Sequence, residues 1–182
     1  MEPIITPRLR IRSLELPDLP EFFAYRSDPE VTKYQGFDVM TEEQAEGFIK
    51  VNATKTFGKP GEWVQYGIED RKTTKLIGDC ALKLDLNDPD TAEIGITLSP
   101  LHQKKGYAKE VMLALLAFLF DKKGIRRVTE TVDAENTASI NLLKSTGFRL
   151  EGHFIENVFF KGKWGSEFQY AMLNREWDAR KH

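Results

Sequence analysis

Residues 98–112 read LSPLHQKKGYAKEVM, three lysines and one glycine set directly before a strongly apolar run. The first turn of a helix leaves N–H groups without internal partners, and the helix dipole adds partial positive charge there. A phosphate group satisfies both needs. Gly106 lets the backbone approach such a group, and Lys104, Lys105 and Lys109 add charge around it. The plainer alternative is a helix start with a solvated basic surface. A nucleoside triphosphate fits less well, because the GxxxxGK[ST] spacing is missing and no lysine and hydroxyl are set for a terminal phosphate and magnesium.

The elements that must position this loop can be read around it. Arg8, Arg10 and Arg12 alternate with Leu9 and Ile11, the period of a half-buried strand over Arg8 to Leu14. Asp18 followed by Pro20 and Glu21 starts a helix over Leu19 to Arg26, which Asp28-Pro29 ends. Thr41 and Gln44 have capping-box spacing and open a second helix over Glu42 to Thr54. Strands follow at Val64 to Glu69, Leu76 to Leu84 and Ala92 to Leu98, joined by the turns RKTTK and NDPD as an antiparallel meander. Gly106 to Asp121 is a helix apolar around nearly its whole circumference, which implies burial against a sheet. A strand at Arg127 to Val132 precedes a helix over Thr137 to Ser145, closed by Gly147. Two last strands, near Phe154 to Phe160 and Glu167 to Leu173, flank the turn KGKWG. The pattern is α/β: one domain over residues 1–182, with a mixed, mostly antiparallel sheet of six to seven strands and flanking helices.

Composition sets the outer bounds. The chain has 182 residues, enough to bury one real core. With 26 basic and 28 acidic side chains its formal charge is −2, so nothing pulls it globally toward nucleic acid or an anionic membrane. The N-terminus lacks the apolar region of a signal peptide, and the longest apolar stretch, Val111 to Phe120, falls well short of the roughly 20 residues a bilayer span needs. One cysteine excludes an internal disulfide and a cysteine-based zinc cage. A cytoplasmic protein without a metal is the expectation.

Gln103-Lys104-Lys105-Gly106-Tyr107-Ala108 resembles the Q/R-x-x-G-x-G/A loop of the GCN5-related N-acetyltransferases, which binds the pyrophosphate of acetyl-coenzyme A. Order and spacing support the likeness: the strand AEIGITLSP comes before the loop, and ENTASINLLKSTGF follows about 30 residues after it. The opening segments TPRLRIRSL, SDPEVTKY and TEEQAEGFI resemble the ribosomal-protein N-terminal (alanine/serine) acetyltransferases, so the likeness covers nearly the whole chain. It implies a sheet whose fourth and fifth strands splay apart, with acetyl-pantetheine inserted between them. Acetyl-CoA would be the cosubstrate, held by Gln103, Lys104, Lys105, Gly106, Tyr107, Ala108 and Lys109, by backbone groups of Ile96, Thr97 and Leu98, and by Asn136 and Ser139. Gly95, inside an apolar strand, fits a bulge or a close backbone approach, or else packing room for a neighbouring aromatic.

Acetylating an amine makes three demands. The acceptor must lose a proton that a lysine-type amine holds up to about pH 10. The oxyanion needs fixed donors. The departing thiolate must gain a proton or leave without one, and a thiol pKa of about 8.5 makes it a tolerable leaving group. Glu93 shares a strand face with Gly95 and Thr97 and is the first candidate base, acting through a water; its alternative is a cross-strand-paired carboxylate. Glu156 is the second candidate, against an ordinary surface charge. Many members of the resembled family carry a tyrosine seven residues after the asparagine that opens the post-loop helix. Here that asparagine is Asn136 and position 143 is Leu143, so the phenolic acid is missing. The ribosomal-protein branch resembles N-x-x-S instead, met by Asn136 and Ser139. Ser139 would then contact the coenzyme sulfur and Asn136 the pantetheine arm, or the two would stabilise the helix start.

The remaining residues suggest packing. Cys80 alternates with Leu82 and Leu84 on a core face; His102, His153 and His182 lack metal spacing; Trp63, Trp164 and Trp177 read as packing residues, with Trp164 placed to touch substrate or a second subunit. The acceptor is expected to be a protein N-terminal amine bound between the two N-terminal helices and the final hairpin, and a homodimer is left open. A rival acceptor is a polyamine: EGHFIENVFFKGKW also resembles spermidine acetyltransferases, and Asp85, Asp88, Asp90 and Glu93 would give an acidic rim. An aminoglycoside acceptor and a non-catalytic CoA-binding module complete the alternatives, the latter because of Leu143.

Overall fold

In a computed structural model that describes residues 2–180, a single eight-stranded sheet runs through the protein in the order β1-β2-β3-β4-β5-β6-β8-β7. Its strands are β1 (Ile4–Ile5), β2 (Leu9–Ser13), β3 (Val64–Asp70), β4 (Leu76–Leu84), β5 (Thr91–Leu98), β6 (Arg127–Asp133), β7 (Arg149–Phe160) and β8 (Lys163–Leu173). Among the described residues six α-helices flank it: α1 (Leu19–Arg26), α2 (Pro29–Thr32), α3 (Glu42–Ala53), α4 (Tyr107–Ala117), α5 (Thr137–Thr146) and α6 (Asn174–Asp178). Every strand pairing is antiparallel except β5 with β6, which the crossover helix α4 makes parallel.

Local chemistry explains most of these elements. Thr41 and Gln44 form the expected reciprocal cap on α3, with bonds of 2.9 and 3.2 Å. Gly147 closes α5 in a left-handed conformation, φ 90°. Asp28 ends α1 and also caps α2, a one-turn helix the sequence did not announce, by accepting the Glu30 N–H. Asp18 holds the N-cap position of α1, which starts where expected, but its side chain makes no cap bond. Its carboxylate receives Arg12 at 2.7 and 2.8 Å, and Arg12 also pairs with Glu69 at 2.6 Å, so this arginine is buried rather than on the solvent face of β2.

Two departures concern the ends of the chain. The two-residue β1 raises the strand count to eight, so the expected splay falls between β5 and β6. The final hairpin is longer than expected. Lys163, Trp164 and Gly165 belong to β8, and the turn narrows to Lys161 and Gly162, whose φ angles of 49° and 79° suit a type I′ connection.

Helices on both faces bury the sheet. Alternation along β4 and β5 turns Cys80, Leu82, Ala92 and Ile94 toward α4 and α5, into one core with Val111, Met112, Leu115 and Leu143. The opposite face carries Asp79, Lys83, Glu93 and Thr97, and Asp79 there meets Tyr25 and Arg26 of α1. Phe22, Tyr25, Ala45 and Ile49 of α1 and α3 form a second, smaller core. Cys80 is fully buried, which pushes its thiol pKa well up and leaves it an inert core residue, as expected. His182 lies outside the described residues. Among the described residues no helix is long and apolar enough to cross a membrane.

Candidate active site

The loop after β5 ends in an open helix start. A 3-10 turn at Pro100–His102 leads to Gln103, whose side-chain amide donates to the Leu98 carbonyl at 3.1 Å and closes the loop on the strand. Lys104 and Gly106 take left-handed conformations, with φ 59° and 79°. Gly106 holds the N-cap position of α4, and no side chain caps that helix. The first in-helix bond is made by the Glu110 N–H to Gly106, so the amides of Tyr107, Ala108 and Lys109 precede the helical ladder. Lys104, Lys105 and Lys109 are exposed around them. This is the chemistry of an anion cradle, and a diphosphate fits it.

One part of the cradle was not expected from the sequence. Arg8 of the segment before β2 donates to the Lys105 carbonyl at 3.0 Å and stacks 4.4 Å from the centre of the Tyr107 ring. Its Nε also pairs with Glu110 at 2.6 Å. The loop is thus pinned from the other end of the chain. Only the basic alternation of β2 hinted at it, and that pattern gives no partner.

The splay is defined by register. β5 and β6 pair only through Thr91, Ala92 and Glu93 against Arg127, Val128 and Thr129, and separate beyond them. The bonds from Asp85 N–H to the Thr91 carbonyl and from Ser99 N–H to the Ile77 carbonyl show that odd-numbered residues of β5 turn their amides toward β4. Ile94, Ile96 and Leu98 therefore present N–H and C=O to the opening. Thr97 turns its backbone to β4 instead and buries its side chain on the opposite face, away from the place expected for a coenzyme ligand.

A cavity of about 750 Å³ fills the splay, lined among others by Glu93, Gly95, Ile96, Glu130, Asn136 and Ser139. Gly95 makes no bulge, since the β4–β5 register is unbroken through it. It makes no room for an aromatic either: a Cβ built on Gly95 meets nothing within 4 Å. What it leaves open is this cavity. Asn136 caps α5, its Oδ1 accepting the Ser139 N–H at 3.2 Å. That bond uses the Ser139 amide and does not consume its hydroxyl.

The titratable groups fall into distinct environments. Glu93 pairs with its cross-strand neighbour Lys83 at 2.5 Å while lining the cavity from the α1 and α3 face. Glu156 lies exposed on β7 at a register irregularity and lines neither major cavity, so the second candidate base stands apart from the site. Leu143 is fully buried in the core. A further carboxyl, Glu130, was not expected from the sequence. This carboxyl shares its face of β6 with Val128 and Val132, is 8% exposed, and keeps Oε2 without a hydrogen-bond partner. Burial, and then the charge of Glu93, push its pKa up to about 8. An acid in the middle of VTETV, on the apolar phase of an alternating strand, was the signal.

A second cavity of about 880 Å³ opens on the other side of Gly95 and Ile96, reaching Gln65, Ala81 and Thr97 of the sheet and Phe37, Phe48 and Arg26 of the helical layer. Arg26 is 1% exposed. Its Nη2 binds Asp79 Oδ1 at 2.6 Å and its Nε reaches Asp79 Oδ2 at 3.1 Å. Phe37 covers the guanidinium at 4.2 Å, and Nη1 has no hydrogen-bond partner. Trp63, expected to be a packing residue, lines both cavities and is 39% exposed. Trp164 stands exposed on β8 against Phe159, while Trp177 packs near Phe120. Asp85, Asp88 and Asp90 line neither cavity. Asp85 and Asp88 accept loop amides, and Asp88 also holds Thr91 and Arg126. The expected acidic rim thus contributes only Glu93.

Comparison with known proteins agrees with this geometry. Residues 8–149 match the family model of the acetyltransferase (GNAT) domain. The uncharacterized N-acetyltransferase p20 of Bacillus licheniformis is 33% identical over 178 residues, covering 97% of this chain and 99% of p20. A GNAT-family acetyltransferase from Bacillus anthracis superposes with a TM-score of 0.87 at 29% identity, over 96% of this chain and 99% of that one. Two more distant structures share the fold. One is RimL, a ribosomal L7/L12 alpha-N-protein acetyltransferase in complex with coenzyme A (TM-score 0.81, 19% identity, 94% and 98% coverage). The other is spermidine N-acetyltransferase from Vibrio cholerae in complex with CoA and spermine (TM-score 0.79, 22% identity, 94% and 99% coverage).

Proposed function

The chain belongs to the GNAT family of N-acetyltransferases, and from that premise we propose that it moves an acetyl group from acetyl-CoA to the amine of a protein N-terminus. Family membership sets aside the reading of a non-catalytic module. The coenzyme, when bound, supplies the acetyl thioester. The uncapped amides at Tyr107, Ala108 and Lys109 and the lysines beside them bind its diphosphate. The splayed edge of β5 takes the pantetheine, and the Ile96 N–H, fixed by the strand, is placed to stabilise charge on the thioester oxygen. Glu93 accepts the amine proton through a water on the opposite face.

The observation that carries the choice of acceptor is the unpartnered Nη1 of Arg26 beside the second cavity. A buried donor left unmade costs about 1–3 kcal/mol, and an acceptor that brings a carbonyl oxygen removes that cost. A peptide N-terminus carries such an oxygen next to its amine. A polyamine carries none, and it would meet a guanidinium instead of a carboxylate. The first cavity does hold Asp38, Glu93, Glu130, Asp133, Glu135 and Glu167, which suits any cationic amine, but Lys33, Lys161 and Lys163 line it too. The test is thiol release from acetyl-CoA with N-terminal peptides, their desoxo analogues lacking the first carbonyl, and spermidine. The peptide reading expects the intact peptides to exceed both others in kcat/KM by about tenfold or more, the worth of one hydrogen bond to a charged donor. Spermidine as the best acceptor would overturn it.

A further inference from the structure

We propose that Glu130 is the proton donor to the departing coenzyme sulfur, in the place left without a phenol by Leu143. The inference rests on the coenzyme reading above and adds a catalytic residue to it.

Three independent features of the structure converge on this carboxyl. The first is position: β5–β6 pairing ends at Glu93 and Thr129, so Glu130 is the first residue of β6 past the point where the strands part. It lines the cavity in the splay, as Ile96 and Ser139 do. The second is an unmet hydrogen bond. Oε2 is buried without a partner, and a buried polar atom left so in a native structure needs a reason. The third is the cost of placing an acid there. Val128 and Val132 hold the same phase of the strand, and a third aliphatic residue would pack without penalty.

The surroundings keep this group protonated at neutral pH. The charge of Glu93 on β5, whose own partner Lys83 lies on β4, acts on it from the other face of the sheet; from β8 its cross-strand neighbour is Tyr170; Asp133 and Glu135 line the same cavity. Among the described residues no ion pair reaches it, and Oε2 has no hydrogen-bond partner. A carboxyl pushed up to about 8 is a far better acid for a thiolate of ordinary basicity than a serine hydroxyl is. When the amine nitrogen has bonded to the acyl carbon, the C–S bond breaks and its electron pair stays on sulfur. Oε2–H transfers its proton to that sulfur, giving free thiol and a glutamate. The nitrogen loses its surplus proton through the water at Glu93, and Glu130 regains one from solvent once the thiol leaves. Ser139 then orients the sulfur and does not have to ionise.

The test uses the full chain, with Glu130→Gln as a near-isosteric variant. We expect kcat to fall by about 10²-fold or more with KM for acetyl-CoA within about twofold, and the alkaline limb of wild-type kcat, centred near the carboxyl's own pKa, to vanish. A readout free of turnover is the side-chain carboxyl resonance of Glu130 in ¹³C-glutamate-labelled wild type. It should respond to CoA and stay unmoved by desulfo-CoA, which keeps every contact except the sulfur. Unchanged kcat in the variant, or an equal response to both coenzyme forms, overturns the assignment while CoA binding still stands. Absence of any calorimetric heat with CoA overturns the coenzyme reading itself.

Discussion

Replacing Glu130 by glutamine keeps the shape of the side chain and removes its titration, so the pH dependence of the stability difference isolates one group. The folded-state pKa of about 8 lies above the ordinary 4.5. The native protein therefore binds more protons than the unfolded chain between those values, and stability falls as pH rises through that window. Below about pH 4.5 both states hold the proton and the group costs nothing. Each pH unit above that removes about 1.4 kcal/mol, giving about 3 kcal/mol at pH 7 and about 5 kcal/mol above pH 8, where the loss stops growing. That is a large share of the 5–15 kcal/mol typical of a domain. Urea denaturation of wild type and Glu130→Gln from about pH 5 to 9 measures it directly. Carboxylates with lowered pKa, such as Glu110 and Glu151, are common to both proteins and cancel in the difference. Any fixed offset from the amide cancels as well, because the slope carries the prediction. The variant should gain on wild type steadily up to about pH 8. A flat difference would refute the buried-acid account, whatever the absolute stabilities.

The coenzyme loop and the groups around the splay give three further expectations. Gly106→Ala forces a side chain into the left-handed region and should cost about 1 kcal/mol of stability, while acetyl-CoA affinity by calorimetry falls more than tenfold. Asn136→Ala removes the α5 cap and should cost about 1 kcal/mol, whereas Ser139→Ala keeps the cap and should leave the melting temperature unchanged. A loss of kcat in Ser139→Ala then reports on its hydroxyl, and full turnover would reduce Ser139 to a helix residue. Glu93→Gln should lower kcat about 10²-fold or more while leaving CoA affinity intact; retained turnover would return Glu93 to a cross-strand partner of Lys83.

What could be read in advance followed the range of the interactions involved. Thr41 with Gln44, Gly147 after α5 and the apolar α4 act over a few residues, and they lie where their spacing put them. The meander β3-β4-β5 was legible because alternation and turn residues coincide. β7 was only half legible, since its register shifts between Leu150 and Gly152 and again between Phe154 and Val158, which breaks the period a strand needs to show itself. Arg8, Arg12 and Arg26 look like surface charge in the sequence. Apart from Asp18 beside Arg12, their partners Lys105 and Glu110, Glu69, and Asp79 lie far along the chain, and no local pattern names them. Breaking the Arg26–Asp79 pair by removing one side leaves an uncompensated buried charge worth about 3–5 kcal/mol.

The site depends on one short stretch of parallel pairing. Three residue pairs hold β5 to β6, and the strand period of two then assigns every group near the opening. Glu93 falls on the face of α1 and α3. Ile96 turns its amide into the gap. Glu130, on the next strand, falls in the opposite phase, among Val128 and Val132. On the proposed reading the two carboxylates flank the thioester from opposite faces, one paired with lysine, the other buried without a partner. Direct transfer needs that asymmetry, because a proton must leave the nitrogen on one side while another reaches the sulfur on the other. Slipping β6 by one residue against β5 would turn Glu130 onto the face of Glu93 and put both acids on one side, since β4 holds Glu93 in place. The short pairing therefore sets which acid lies on which face of the sheet.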